Sequence, residues 1–177
     1  MSVSVDEVRM HSPAKVNLML SVHGPREDGF HELSSVVVPL AFGDELRVRC
    51  ADVDSLVCTD ASLPTGTENL VLRAAEAFRR YSGSSLHFSF FLEKRIPVGA
   101  GLGGGSGNAA VALQAMNQLA GNLLVGDALV ELAAELGSDC AFFLEGRPSV
   151  LRGRGERVES LPEDVASRLA GRRLLLF

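Results

Sequence analysis

The chain has 177 residues, of which 46% are hydrophobic, and its formal net charge is −5 with three cysteines. That length suits one domain with room for the start of a second, and the apolar content is enough for a sizeable core. An acidic balance with no basic patch among aromatics excludes a general nucleic-acid binder, and no apolar run is long enough to span a bilayer. Cys50, Cys58 and Cys140 are odd in number and lack C-x-x-C spacing, which points away from a disulfide framework or a zinc site. The opening residues Met1 to Glu7 have no basic and apolar signal-peptide regions, so a cytoplasmic location is expected.

In chain order, Lys15 to His23 alternates as a strand. Val16, Leu18, Leu20 and Val22 are expected on its buried face, with Lys15 and Asn17 side by side on the other. Gly24 to Gly29 is turn chemistry. Strand-like runs follow at Leu33 to Phe42, Glu45 to Cys50 and, more weakly, Ser55 to Thr59. Leu70, Ala74, Ala77, Phe78 and Tyr81 form a helical stripe that ends at Gly83. Leu86, Phe88, Phe90 and Leu92 alternate as a strand, and Ala109, Leu113, Met116 and Ala120 share one helical face. A second helix has Asp127 as its expected N-cap and Gly137 as its C-cap. A hairpin is expected around Gly153-Arg154-Gly155, and Arg173 to Phe177 reads as an apolar strand. Strands followed by helices around a loop predict an α+β fold.

Between the Leu86–Leu92 strand and the next helix lies Pro97-Val98-Gly99-Ala100-Gly101-Leu102-Gly103-Gly104-Gly105-Ser106-Gly107. Glycine lets a ligand approach the backbone, and a helix start offers free N–H groups and a favourable dipole. A phosphate site follows from that combination. It is not a Walker A loop, because no lysine occurs after Lys94. Nor is it a Rossmann loop, since no strand ending in an acid follows about 20 residues on. Only Lys15 and Lys94 are lysine among 17 basic residues. Lys15 has informative neighbours, whereas chance suffices to explain Lys94.

Pro13-Ala14-Lys15-Val16-Asn17-Leu18, the loop from Ile96 to Ser106, and Gly137-Ser138-Asp139 before Ala141-Phe142-Phe143 resemble, in order and spacing, the GHMP small-molecule kinases. Arg26-Glu27-Asp28-Gly29-Phe30-His31-Glu32-Leu33 and Gly153-Arg154-Gly155-Glu156 resemble one cytidyl-substrate branch of that family. The resemblance implies the GHMP kinase N-terminal domain (ribosomal protein S5 domain 2-like), a mixed sheet with helices on one side. It also implies transfer of the γ-phosphoryl of ATP, with Mg2+, to the 2-hydroxyl of a cytidine-diphosphate-linked methylerythritol in isoprene biosynthesis. On this reading residues 97–107 hold the ATP phosphates, and Ser106 is the hydroxyl expected nearest the metal. Asp139 is the general base, and Lys15 counters charge in the transition state. Asn17 binds substrate or orients Lys15, His31 meets the cytosine edge, and Phe30 stacks on the base in place of the family's tyrosine.

Bland readings stand beside these. Asp139 suits a helix cap, and Lys15 and His31 suit solvated surface positions. His11, His23 and His87 are taken as structural, and Cys140 is assigned no chemistry. Gly107-Asn108 departs from the family's Ser-Asp, and Ala141 from its proline. The expected organisation is a GHMP kinase N-terminal ATP-binding domain at 1–160 and the start of a truncated C-terminal domain at 161–177. The truncated edge is expected to promote self-association. Two other readings remain open: a non-catalytic nucleotide-binding module, and a GHMP kinase acting on homoserine, mevalonate or a sugar.

Overall fold

A long antiparallel strand pair is the spine of the molecule. In the computed structural model, which describes residues 7–25, 29 and 31–176, β1 (Val8–Pro25) pairs with β2 (His31–Ala51). The ladder runs from Val8 opposite Val48 to Pro25 opposite His31. The two runs expected at Leu33–Phe42 and Glu45–Cys50 are therefore one strand. Gly43 does not break it. A Cβ there would overlap the Ser12 carbonyl oxygen and lie 2.8 Å from Pro13 Cα, so glycine marks a close approach of β1.

The other edge of β2 is shared between two strands. β5 (Ser149–Gly153) pairs with Leu33–Val37, and β4 (His87–Glu93) pairs with Glu45–Ala51. β3 (Ser55–Cys58) runs parallel to β4, and β6 (Arg157–Ser160) closes the hairpin on β5. The resulting six-stranded sheet is mixed, as expected for the α+β class. Phe88, Phe90 and Leu92 of β4 are buried while the residues between them are half-buried, which gives the sheet one core face.

That face carries the helices. α1 (Leu70–Ser82) starts where Asn69 Oδ1 accepts the Val71 N–H at 3.0 Å and ends at Gly83 with φ 69°. α2 (Gly104–Leu119) is apolar all round and is buried accordingly, packed against β1, β2, α1, α3 (Ala128–Leu136) and α4 (Cys140–Glu145). The main core joins Phe78, Phe88, Phe90, Leu46 and Met116, and a smaller cluster joins Val37, Ala110, Phe142 and Leu151.

Some expectations need correction. Of the face expected on β1, Val16 is buried but Leu18, Leu20 and Val22 are 46%, 56% and 60% exposed. Asp127 stands at the N-cap of α3 but its side chain makes no capping hydrogen bond. The short α4 and α5 (Glu163–Leu169) lack the long apolar stripe that reveals a helix in sequence; α5 buries no residue. Arg173–Leu176 is not a strand: it pairs with nothing in the sheet, and Leu174, Leu175 and Leu176 are exposed.

Candidate functional site

The glycine-rich segment bridges the end of β4 and the start of α2. Gly99, Gly101 and Gly103 each take φ 73°, alternating with other residues. Such alternation of left-handed and ordinary backbone turns successive N–H groups towards one side and forms an anion-binding concavity. The first helical bond of α2 is donated by the Gly107 N–H to the Gly103 carbonyl, and Gly103 has no side chain to cap the helix. The N–H groups of Gly104, Gly105 and Ser106 therefore have no partner within the helix. The loop forms one wall of a cleft of about 240 Å³. Leu63, Pro64, Asn69 and Leu70 form the facing wall, with Glu68 and Lys94 as its charged groups.

Of the residues expected to hold phosphate, Pro97, Val98, Gly99, Ala100, Gly101, Leu102, Gly103, Gly104 and Gly105 line this cleft. Ser106 and Gly107 do not. Ser106 Oγ lies on the side of Gly137 and Cys140, where a Cβ on Gly137 would stand 3.8 Å from it and 3.5 Å from Cys140 Sγ. Gly107 lies against β1, where a Cβ would stand 2.9 Å from Ser12 Oγ, so this departure from the family's serine makes room for a buried hydroxyl.

Lys15 reaches the same place from the sheet. The β1–β2 register shifts between Pro13 and Lys15, and opposite Lys15 stands Pro39, which has no N–H to give. The Lys15 N–H donates to the Leu102 carbonyl at 2.9 Å, tying β1 to the glycine loop. Its side chain is 10% exposed, and Nζ donates to Asn17 Oδ1 at 2.7 Å. Asn17 Nδ2 donates to Ser35 Oγ at 2.6 Å, which donates to the Met19 carbonyl at 2.7 Å. This relay fixes the ammonium 3.4 Å from Asp139 Oδ2.

Asp139 precedes α4 but does not cap it, so the bland reading of this residue fails. Gly155, in the β5–β6 turn, closes the other side: a Cβ there would lie 3.7 Å from Asp139 Oδ1. Gly103 shows how tightly these parts fit, since its Cβ would meet Phe143 Cζ at 2.6 Å and Lys15 Cγ at 2.9 Å. Loop, ammonium and carboxylate thus meet at one point. Of the expected substrate residues, Asn17 is in this group through its hydrogen bond to Lys15. His31 is exposed at the first position of β2. Phe30, like Arg26, Glu27 and Asp28, lies outside the described residues.

Sequence reasoning missed one residue here. Lys94, set aside as chance, is buried beside the loop, its Nζ 2.7 Å from the fully buried Asp44 Oδ2. The scarcity of lysine was the available signal. Cys140 is fully buried, and burial pushes its thiol up to about 11. It stays neutral at pH 8, where the thiolate is the reactive form. Iodoacetamide at pH 8 is therefore expected to modify the exposed Cys50 in the native protein and to spare Cys140 until denaturant is added. Peptide mapping checks this; equal labelling of both cysteines would contradict it.

Comparison with known proteins places these parts in context. Residues 69–147 match the family model for the GHMP kinases N terminal domain. The 4-diphosphocytidyl-2-C-methyl-D-erythritol kinase of Protochlamydia amoebophila is 46% identical over 158 residues, covering 89% of this chain and 55% of that protein. The enzyme of the same name from Synechococcus sp. (strain CC9902) is 49% identical over 154 residues, covering 85% and 50%. A crystal structure of 4-(cytidine 5'-diphospho)-2C-methyl-D-erythritol kinase superposes with a TM-score of 0.74 at 43% identity, over 87% of this chain and 55% of that one. The chain spans about half the length of the curated relatives it matches. No helix among the described residues is long and apolar enough to cross a membrane.

Proposed function

We propose that this chain, whose residues 69–147 match the family model for the GHMP kinases N terminal domain, is the nucleotide-binding half of an ATP-dependent kinase. The substrate proposed is 4-diphosphocytidyl-2-C-methyl-D-erythritol, phosphorylated on its 2-hydroxyl, as the names of its relatives indicate. One observation carries the reading. The Lys15 ammonium and the Asp139 carboxylate are held 3.4 Å apart where the glycine loop enters α2.

Phosphoryl transfer needs positioning and charge stabilisation more than covalent chemistry. The N–H groups of residues 98–105 hold the phosphates of ATP, with Pro97 leading into them. Asp139 accepts the proton of the attacking hydroxyl. Lys15 faces the charge that grows on the transferred group, and Asn17 keeps its Nζ in place. His31 and Phe30 take the cytosine of the substrate. Mg2+ neutralises phosphate charge when bound.

The residues present fit an ion brought in with the nucleotide. No three of His, Cys, Asp and Glu converge among the described residues, and Glu68 and Asp139 stand singly beside the cleft and the ammonium. Mg2+ characteristically takes one or two carboxylates plus substrate phosphates. Self-association through the C-terminal edge is supported by the exposed Leu174, Leu175 and Leu176.

Phosphorus NMR of the protein with ATP, Mg2+ and one alcohol at a time tests this. A new phosphomonoester signal is expected with 4-diphosphocytidyl-2-C-methyl-D-erythritol, and none with mevalonate or homoserine. Preference for either of the latter would overturn the substrate. ATP binding without transfer to any alcohol would leave a nucleotide-binding module.

A further inference from the structure

Asp44 is a fully buried carboxylate outside the Lys15–Asp139 pair, and its hydrogen bonds have a direction. It accepts from three consecutive residues that lead into the glycine loop. Lys94 Nζ donates to Oδ2 at 2.7 Å, and the Arg95 and Ile96 N–H groups donate to Oδ1 at 2.7 and 2.8 Å. Lys94 Nζ also donates to the Ile96 carbonyl at 2.6 Å, closing a ring of polar contacts directly before Pro97. Asp44 belongs to the stretch of β2 that pairs with neither β5 nor β4, so its side chain takes over where strand pairing stops. On its other edge it stands opposite Ser12, on the approach to Lys15.

A buried ion pair contributes little net stability, because apolar residues of similar volume hold a core as well or better. Its contribution here is geometric. The far end of the loop is fixed by the Lys15 N–H at Leu102. At the near end Thr59 Oγ1 accepts the Lys94 N–H at 2.9 Å, and Asp44 holds the two residues that follow, Arg95 and Ile96. Resting on the nucleotide-loop reading above, we propose that Asp44 is a positioning residue. Its buried carboxylate, paired with Lys94, sets the glycine loop at a fixed place against the strand that carries Lys15. Misplacement by about an ångström at such a site costs on the order of a hundredfold in rate, which is why a loop otherwise free to move is anchored at both ends.

Two variants and two readouts test this. Asp44→Asn leaves a neutral acceptor and an uncompensated Lys94 ammonium. The apolar double variant Asp44→Leu/Lys94→Met removes the anchor without an unpaired charge, so it keeps a folded protein available should the single variant unfold. Hydrogen exchange is measured without nucleotide, and ATP affinity by calorimetry at a temperature where circular dichroism shows each variant folded.

Exchange at residues 95–103 is expected to accelerate selectively, with the cores of β4 and α1 still protected. ATP affinity is expected to fall about tenfold or more, the effect of losing a charged hydrogen bond. Unchanged exchange at 95–103, or acceleration spread evenly over the domain, would overturn the proposal, as would wild-type ATP affinity in a folded Asp44→Asn protein. Absence of ATP binding by the unaltered chain would instead overturn the kinase reading, while the exchange result would still decide whether Asp44 anchors the loop.

Discussion

Gly103→Val is expected to abolish ATP binding and also to destabilise the fold by about 2–5 kcal/mol, the sum for a left-handed non-glycine residue and for overpacking. From sequence alone the effect on the fold would be modest, since the residue reads as part of an open phosphate loop. The geometry says otherwise. The backbone there has φ 73°, and a Cβ would lie 2.6 Å from Phe143 Cζ and 2.9 Å from Lys15 Cγ. Valine would press the Lys15 stem and the α4 ring apart, so the nucleotide loop and the ion pair suffer together. Gly101→Ala separates the two effects. That glycine has the same φ but open space around it, so alanine costs only about 1–2 kcal/mol of backbone strain. Thermal melts and ATP calorimetry on both variants check the contrast. Equal stability of Gly103→Val and the unaltered protein would refute the packing described.

Asp139→Asn is expected to lower phosphoryl transfer by roughly 10²–10⁴-fold while ATP affinity stays within about threefold, because an amide cannot accept the proton and the loop is untouched. Lys15→Met is expected to lose a similar factor in rate. It also leaves Asp139 and Asn17 without the ammonium that both now face at 3.4 and 2.7 Å. The Lys15 backbone N–H survives the substitution, so the tie to Leu102 is kept and the nucleotide loop holds its place. Single-turnover rates set against ATP affinity separate the two quantities. A near wild-type rate for Asp139→Asn would remove the base from the mechanism and leave activation to position alone.

Much of the fold is legible in local pattern. The Phe88–Phe90–Leu92 alternation, the Gly83 end of α1 and the β5–β6 hairpin all follow from short-range rules, and the structure carries each of them. What local pattern cannot show is whether anything covers a face. Leu18, Leu20 and Val22 alternate like a buried strand, yet they are exposed, because periodicity records which residues share a side and not what lies against it. Gly43 reads as a break between strands for the same reason: its cause is the backbone of β1, a distant segment.

The site divides similarly. Its glycine loop is continuous in sequence and was readable, whereas Lys15 and Asp139 come from separate elements and only the resemblance to a family brings them together beforehand. The Asp44–Lys94 pair joins residues from β2 and from the end of β4, and nothing in the neighbourhood of either predicts the other. Ser106 lying towards Gly137 and Cys140 instead of in the cleft lining is a packing outcome of α2 against α4.

The claim on which the rest depends is that the loop before α2 receives ATP phosphates beside Lys15 and Asp139. Amide NMR of the unaltered protein titrated with a non-hydrolysable ATP analogue and Mg2+ tests it most directly. The account predicts saturable shifts concentrated at residues 98–105, with further shifts at Lys15 and at Asp139. Saturable shifts confined to another part of the molecule, or no shifts at the glycine loop at all, would contradict it.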